Sequence, residues 1–187
     1  MNVFILCAGR CGSLTLSRAL SHATNFTSGH ETRVRQLGYR RVDYPINHIE
    51  ADNRLAFFLG RLDNRFGRDA YYVHLRRERE ACAASHNRRW EKRGMMRAYA
   101  QAILNRRREH GFNISVCHDY LRTVEENIEF FLRDKPHQMN LWLETLDRDF
   151  PTLWQWIGVE GDLDTAMREL NTSHNAARRK HILARKA

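Results

Sequence analysis

Residues 3–7 form an unbroken apolar run, Val-Phe-Ile-Leu-Cys, that stops at Ala8-Gly9. A short run without alternation reads as a strand buried on both faces, the kind found in a parallel sheet covered by helices. Gly9 to Gly12 then predict a tight turn, and Leu16, Leu20 and Ala23 follow Ser13 at helical spacing. A strand fed through a glycine turn into a helix N-terminus gathers unpaired N–H groups and the positive end of the helix dipole at one point. Gly9 and Gly12 allow close approach of backbone to an anion. Arg10 adds a fork-shaped positive charge, and Ser13 adds a hydroxyl donor. The same turn also serves any strand that merely needs linking to a helix.

The rest of the chain repeats this alternation. Residues 24–28 predict a second strand, ending at Gly29-His30-Glu31, and residues 32–45 predict a loop. Asp52 is placed to cap a helix through Leu55, Leu59 and Leu62. Residues 71–75 predict a third strand, residues 78–92 and 95–109 two helices parted at Gly94, and residues 124–132 another. A fourth strand is expected at 140–146, then helices at 151–157, with Pro151 near the first turn, and at 162–170. Strands separated by helices imply parallel pairing through crossovers. The expected fold class is α/β: three α/β/α layers around a mostly parallel sheet of about four to five strands, P-loop-like, in a single domain spanning 1–187.

Composition narrows the partners. The 187 residues carry a formal net charge of +9 and are 42% hydrophobic, a globular composition with a preference for anionic ligands. Of the four cysteines, Cys7 and Cys11 lack zinc-knuckle spacing and no second pair follows, so neither a metal site nor a disulfide framework is expected. The first residues carry no basic region and too short an apolar run for a signal peptide. No apolar run reaches the ~18 residues of a membrane span. A cytoplasmic protein is expected.

The nucleoside-triphosphatase pattern G-x-x-x-x-G-K-[ST] fails, because no lysine follows Gly12. The G-x-G-x-x-G dinucleotide pattern fails too. The segment Gly9-Arg10-Cys11-Gly12-Ser13-Leu14-Thr15 instead resembles the 5′-phosphosulfate loop of the sulfotransferases that use 3′-phosphoadenosine 5′-phosphosulfate (PAPS). Arg77, at the end of the third strand, and Ser85, eight residues on, resemble that family's 3′-phosphate motif. More weakly, residues 140–146 and 149–158 are similar to its later strand and aromatic helix. Asn171 to Asn175, with Arg178, Arg179 and Lys180, resemble the C-terminal segment that folds over the cofactor, though His181 stands where the family has glycine. Residues 95–136 carry no match.

The resemblance implies transfer of a sulfuryl group from PAPS to an acceptor hydroxyl or amine, without a metal. It implies cofactor contacts from Gly9, Arg10, Cys11, Gly12, Ser13, Leu14, Thr15, Arg77, Ser85, Arg178 and Arg179, with segment 171–187 covering the nucleotide. Arg10 is expected to stabilise the leaving phosphate. The acceptor's proton needs a base, for which Glu31 is the first expectation and His30 the second, since some bacterial-type members carry a Glu after the second strand. A second polar cluster, residues 47–52, is read either as facing an acceptor or as a helix cap. The acceptor is not legible; a carbohydrate or another hydroxyl compound fits. Two other classes compete: a kinase-like nucleotide-binding protein of similar fold, which lacks its lysine here, and a basic nucleic-acid-binding module, for which the arginine runs are too scattered. A relative that binds nucleotide without turnover is a third alternative.

Overall fold

A computed structural model describes residues 1–90, 94–107 and 113–172. Arg178 and Arg179, and the covering role expected of segment 171–187 beyond Thr172, lie outside the described residues. Five strands form one sheet: β1 (Asn2–Leu6), β2 (Thr27–His30), β3 (His48–Ala51), β4 (Tyr71–Arg76) and β5 (Gln138–Trp142). Their order is β2-β3-β1-β4-β5, and every pairing is parallel. The apolar opening run therefore lies in the middle, with Phe4 beside Glu50 on one edge and Tyr72 on the other. Val3, Phe4, Ile5 and Leu6 are fully buried.

Helices supply the crossovers: α1 (Ser13–Leu20), α2 (Leu59–Phe66), α3 (Arg79–Asn87), α4 (Met95–Ala98, running into a π turn at Tyr99–Ile103), α5 (Ile114–Leu132), α6 (Leu146–Ile157) and α7 (Leu163–Leu170). α1 packs on α7, which packs on α6, while α3 packs on α5. Leu16 and Leu20 of α1 are fully buried, the apolar stripe that its spacing predicts. An aromatic cluster of Phe4, Tyr44, Phe66, Tyr72 and Phe131 fills one side of the sheet. Burying each such side chain contributes about 1.5–3 kcal/mol.

Several boundaries differ from the sequence reading. Residues 48–51 are a buried strand, not a polar cluster facing an acceptor or the flank of a helix cap. His48 Nε2 meets Glu50 Oε2 at 2.9 Å, so two polar side chains satisfy each other inside the fold. Asp52 does cap, accepting from the Arg54 N–H at 2.8 Å and from buried Arg41 at 2.5 Å. It opens only a 3₁₀ turn (Asn53–Phe57); Phe58, at φ −127°, interrupts the expected helix before α2. β5 stops at Trp142, and Leu143–Thr145 turn as 3₁₀. α6 starts at Leu146, so Pro151 lies inside it. The expected helix at 124–132 begins ten residues earlier, at Ile114.

Candidate functional site

From β1 the chain moves to one side for β2 and β3, then crosses to the other for β4 and β5. In open parallel sheets a ligand crevice forms where the winding reverses, outside the C-terminal strand ends. Here that point lies between β1 and β4, so the turn after Leu6 and the junction after Arg76 stand side by side.

The turn is held in an uncommon conformation. Gly9, Arg10 and Gly12 have φ of 81°, 63° and 84°. Glycine takes such values freely, whereas arginine does so only where its surroundings enforce it. The enforcing contacts are visible. Arg77 Nη1 donates to the Arg10 carbonyl at 2.9 Å, and Arg10 Nε donates to the buried Ser85 Oγ at 3.1 Å. Beneath the turn, the Gly9 carbonyl lies 3.2 Å from Cys11 Sγ, 3.4 Å from Cys82 Sγ and 3.3 Å from His86 Nε2. Tyr120 donates to the Ala8 carbonyl at 3.2 Å.

Gly12 is the N-cap of α1 and offers no side-chain cap, which leaves the first helical N–H groups uncapped by any side chain. A Cβ on Gly12 would lie 2.6 Å from Leu143 Cδ1, so the turn after β5 leaves no room for one. Leu14 and Thr15 are half-buried in the first turn of α1. Thr15, Leu143, Glu144, Asp147 and Leu170 contribute to the wall of a cavity of about 400 Å³ beside that turn.

At the end of β2, His30 Nε2 lies 3.1 Å from Ser13 Oγ. Glu31 also adopts a positive φ, 57°, and its carboxylate pairs with Arg54 at 2.7 Å. The fully buried Glu50 braces this corner, accepting from the Thr32 N–H and hydroxyl, each at 2.7 Å. The structure thus brings together Gly9, Arg10, Cys11, Gly12, Ser13, Arg77, Ser85 and His30. Glu31 is next to His30 but turned to Arg54.

Electrostatics at the site are uneven. Arg77 Nε is buried and donates to no group among the described residues, its nearest acidic neighbour being Glu144 Oε1 at 4.0 Å. Cys11 Sγ and Cys82 Sγ are 4.0 Å apart. The hydrogen bond from Cys11 draws the Cys82 pKa down to about 6 against the cost of burial, with His86 and Arg77 helping. Among the described residues, no three His, Cys, Asp or Glu side chains gather as metal ligands, and no helix is long and apolar enough to cross a membrane.

Cys82, His86 and Tyr120 all touch the turn and were not foreseen. Cys82 lies three residues before Ser85 and four before His86 on α3, so a helical reading backward from Ser85 points to Cys82 and forward from there to His86. Nothing in the residues around Tyr120 points to Ala8.

No family model matches the chain, and no curated protein matches it. Solved structures do. A sulfotransferase domain from the curacin biosynthetic pathway superposes with a TM-score of 0.66 at 16% identity, over 92% of this chain and 78% of that one. A sulfotransferase from Alicyclobacillus acidocaldarius superposes with a TM-score of 0.58 at 13% identity, over 93% of this chain and 86% of that one. With its five parallel strands and the reversal at β1 and β4, the chain has the sulfotransferase fold.

Proposed function

We propose that this protein is a sulfotransferase that takes its sulfuryl group from PAPS and delivers it to an acceptor hydroxyl or amine. The observation that carries this reading is the Arg77-to-Arg10 bond of 2.9 Å, which joins two anion-seeking junctions in one crevice. A donor with phosphate at both ends of one adenosine asks for such a pair. The residues present suit it: Arg77 keeps an unmatched buried N–H, Ser85 offers a buried hydroxyl, and α1 leaves its first N–H groups uncapped by any side chain. The cavity beside Thr15 has room for the purine.

When bound, the donor supplies a sulfuryl group carried on a phosphate oxygen. Transfer through a loose transition state leaves the protein mainly positioning and charge stabilisation to do. Arg10 and the N–H groups of the turn stabilise charge on the leaving phosphate. Ser13 orients the same group, and its bond to His30 ties the end of β2 to it. Glu31 takes the acceptor proton once it swings away from Arg54, with His30 as the second candidate. Arg178 and Arg179 are proposed to reach the nucleotide from the C-terminal segment.

A thermal-shift titration tests the donor assignment, because a ligand of the native state raises the melting temperature by mass action. The expected result is a large shift with 3′-phosphoadenosine 5′-phosphate, reduced in Arg10→Ala and Ser85→Ala. An equal shift with ATP and magnesium would replace this reading with a kinase-like one.

A further inference from the structure

Two of the four cysteines bring their sulfurs together under the phosphate-binding turn, where the transfer chemistry has no use for a thiol. Cys11 belongs to the turn, and Cys82 is on the first turns of α3. They are 3% and 2% exposed, their sulfurs are 4.0 Å apart, and both lie against the Gly9 carbonyl. A disulfide needs its sulfurs about 2.05 Å apart, so closing the gap asks for about 2 Å of movement shared between two side chains. We propose that Cys11 and Cys82 are a redox modification site, and that hydrogen peroxide joins them in a disulfide that deforms the turn and weakens its grip on anions. The consequence for the nucleotide rests on the function proposed above; the thiol chemistry does not.

The steps balance. The Cys82 thiolate attacks one peroxide oxygen; an S–O bond forms, the O–O bond breaks, and the released hydroxide leaves as water with the proton Cys82 gave up. Cys11 sulfur then attacks Cys82 sulfur. The S–S bond forms, the S–O bond breaks, and the second hydroxide departs as water with the Cys11 proton. Two thiols and one peroxide become one disulfide and two waters.

The local chemistry favours Cys82 as the first to react. The thiolate is the reactive form, and Cys11, His86 and Arg77 all stabilise it at Cys82, whereas hydrogen bonds with Cys7 and Cys82 and burial push Cys11 well upward. Burial of both sulfurs selects a small oxidant. The effect on the turn follows from its strain. Gly9, Arg10 and Gly12 hold positive φ values only while neighbours enforce them. A disulfide leaves no thiol proton to donate to the Gly9 carbonyl, leaves His86 as its side-chain donor, and drags Cys11 toward α3.

The experiment treats the full-length reduced protein with hydrogen peroxide, maps crosslinks by non-reducing peptide mass spectrometry, and measures affinity by calorimetry. The probes are 3′-phosphoadenosine 5′-phosphate and, in parallel, inorganic pyrophosphate, which reads the turn alone. The expected result is a Cys11–Cys82 crosslink with about a tenfold loss of affinity for both probes, reversed by dithiothreitol. By reciprocity, saturating ligand shifts the dithiol–disulfide equilibrium toward the thiols by about the same factor, read by titrating the protein in a glutathione redox buffer. Cys82→Ser, which keeps a donor for Gly9, loses the crosslink and changes affinity on peroxide treatment by less than about twofold. A crosslink to Cys7, sulfinic acid at Cys82 without a crosslink, or a Cys11–Cys82 crosslink that leaves pyrophosphate affinity intact overturns the proposal. Failure of the reduced protein to bind the nucleotide sinks the PAPS assignment alone, because the crosslink map and the pyrophosphate arm still decide this one.

Discussion

Arg77 Nη1 donates to the main-chain oxygen of Arg10 across 2.9 Å, tying the end of β4 to the middle of the turn after β1. The Arg10 side chain in turn reaches Ser85 on α3. The two junctions are thus one mechanical unit, and replacing either arginine disturbs both.

Arg10→Ala and Arg77→Ala are each expected to weaken 3′-phosphoadenosine 5′-phosphate binding by about 1.5–3 kcal/mol, the range for hydrogen bonds to charged groups. Their effects overlap, so the double variant loses less than the sum. Calorimetric titration of the four proteins checks this; strict additivity contradicts the shared unit.

Gly12→Ala meets two obstacles: a φ of 84° and Leu143 Cδ1 at 2.6 Å from the new Cβ. Overpacking costs about 1–3 kcal/mol and the left-handed backbone about 1–2 more. Adding Leu143→Ala relieves the clash but not the backbone term, so urea denaturation is expected to show partial rescue. Complete rescue means that the backbone angle is of no consequence.

Glu31→Gln is expected to keep nucleotide affinity within about twofold and to lower transfer by about 100-fold, the usual scale for removing a general base. His30→Gln, which alters the Ser13 contact, is expected to affect affinity as well. Measuring turnover and affinity separately distinguishes them. Full turnover in Glu31→Gln with loss in His30→Gln makes His30 the base.

His74 is 1% exposed, and burial, aided by Arg76, lowers its pKa from 6.5 to about 4. Above pH 6.5 the folded and unfolded forms are both neutral there. Between 6.5 and 4 the unfolded chain takes a proton that the folded chain refuses, so stability falls with pH by about 1.4 kcal/mol per unit, about 3 kcal/mol in all. Denaturant titrations at pH 7 and 4.5 are expected to show a smaller loss in His74→Leu than in the parent. An equal loss removes His74 as a source of acid sensitivity.

The strand-turn-helix opening was legible because each of its parts leaves a separate mark: an apolar run for a strand buried on both faces, two glycines, then a helical leucine spacing. β4 was legible for similar reasons, whereas Arg77 and Ser85 were singled out by the family resemblance, and the structure places both against Arg10. β3 was not, since His48 and Glu50 look like surface residues until their mutual contact is seen. The start of α5 was hidden by His118, Asp119 and Arg122, whose polarity masks the buried Val116, Cys117, Tyr120 and Leu121. Contacts made across long stretches of chain, such as Tyr120 to Ala8 or Glu50 to Thr32, leave no local pattern at all.

The central position of β1 also has a consequence for how the chain is made. Its two hydrogen-bonding neighbours are residues 48–51 and 71–76, so the most apolar strand is synthesised before both of them and stays unpaired on one edge until β4 has followed. Until then it is a sticky ribbon, and nascent chains cut short before β4 are expected to clump or to be claimed by chaperones.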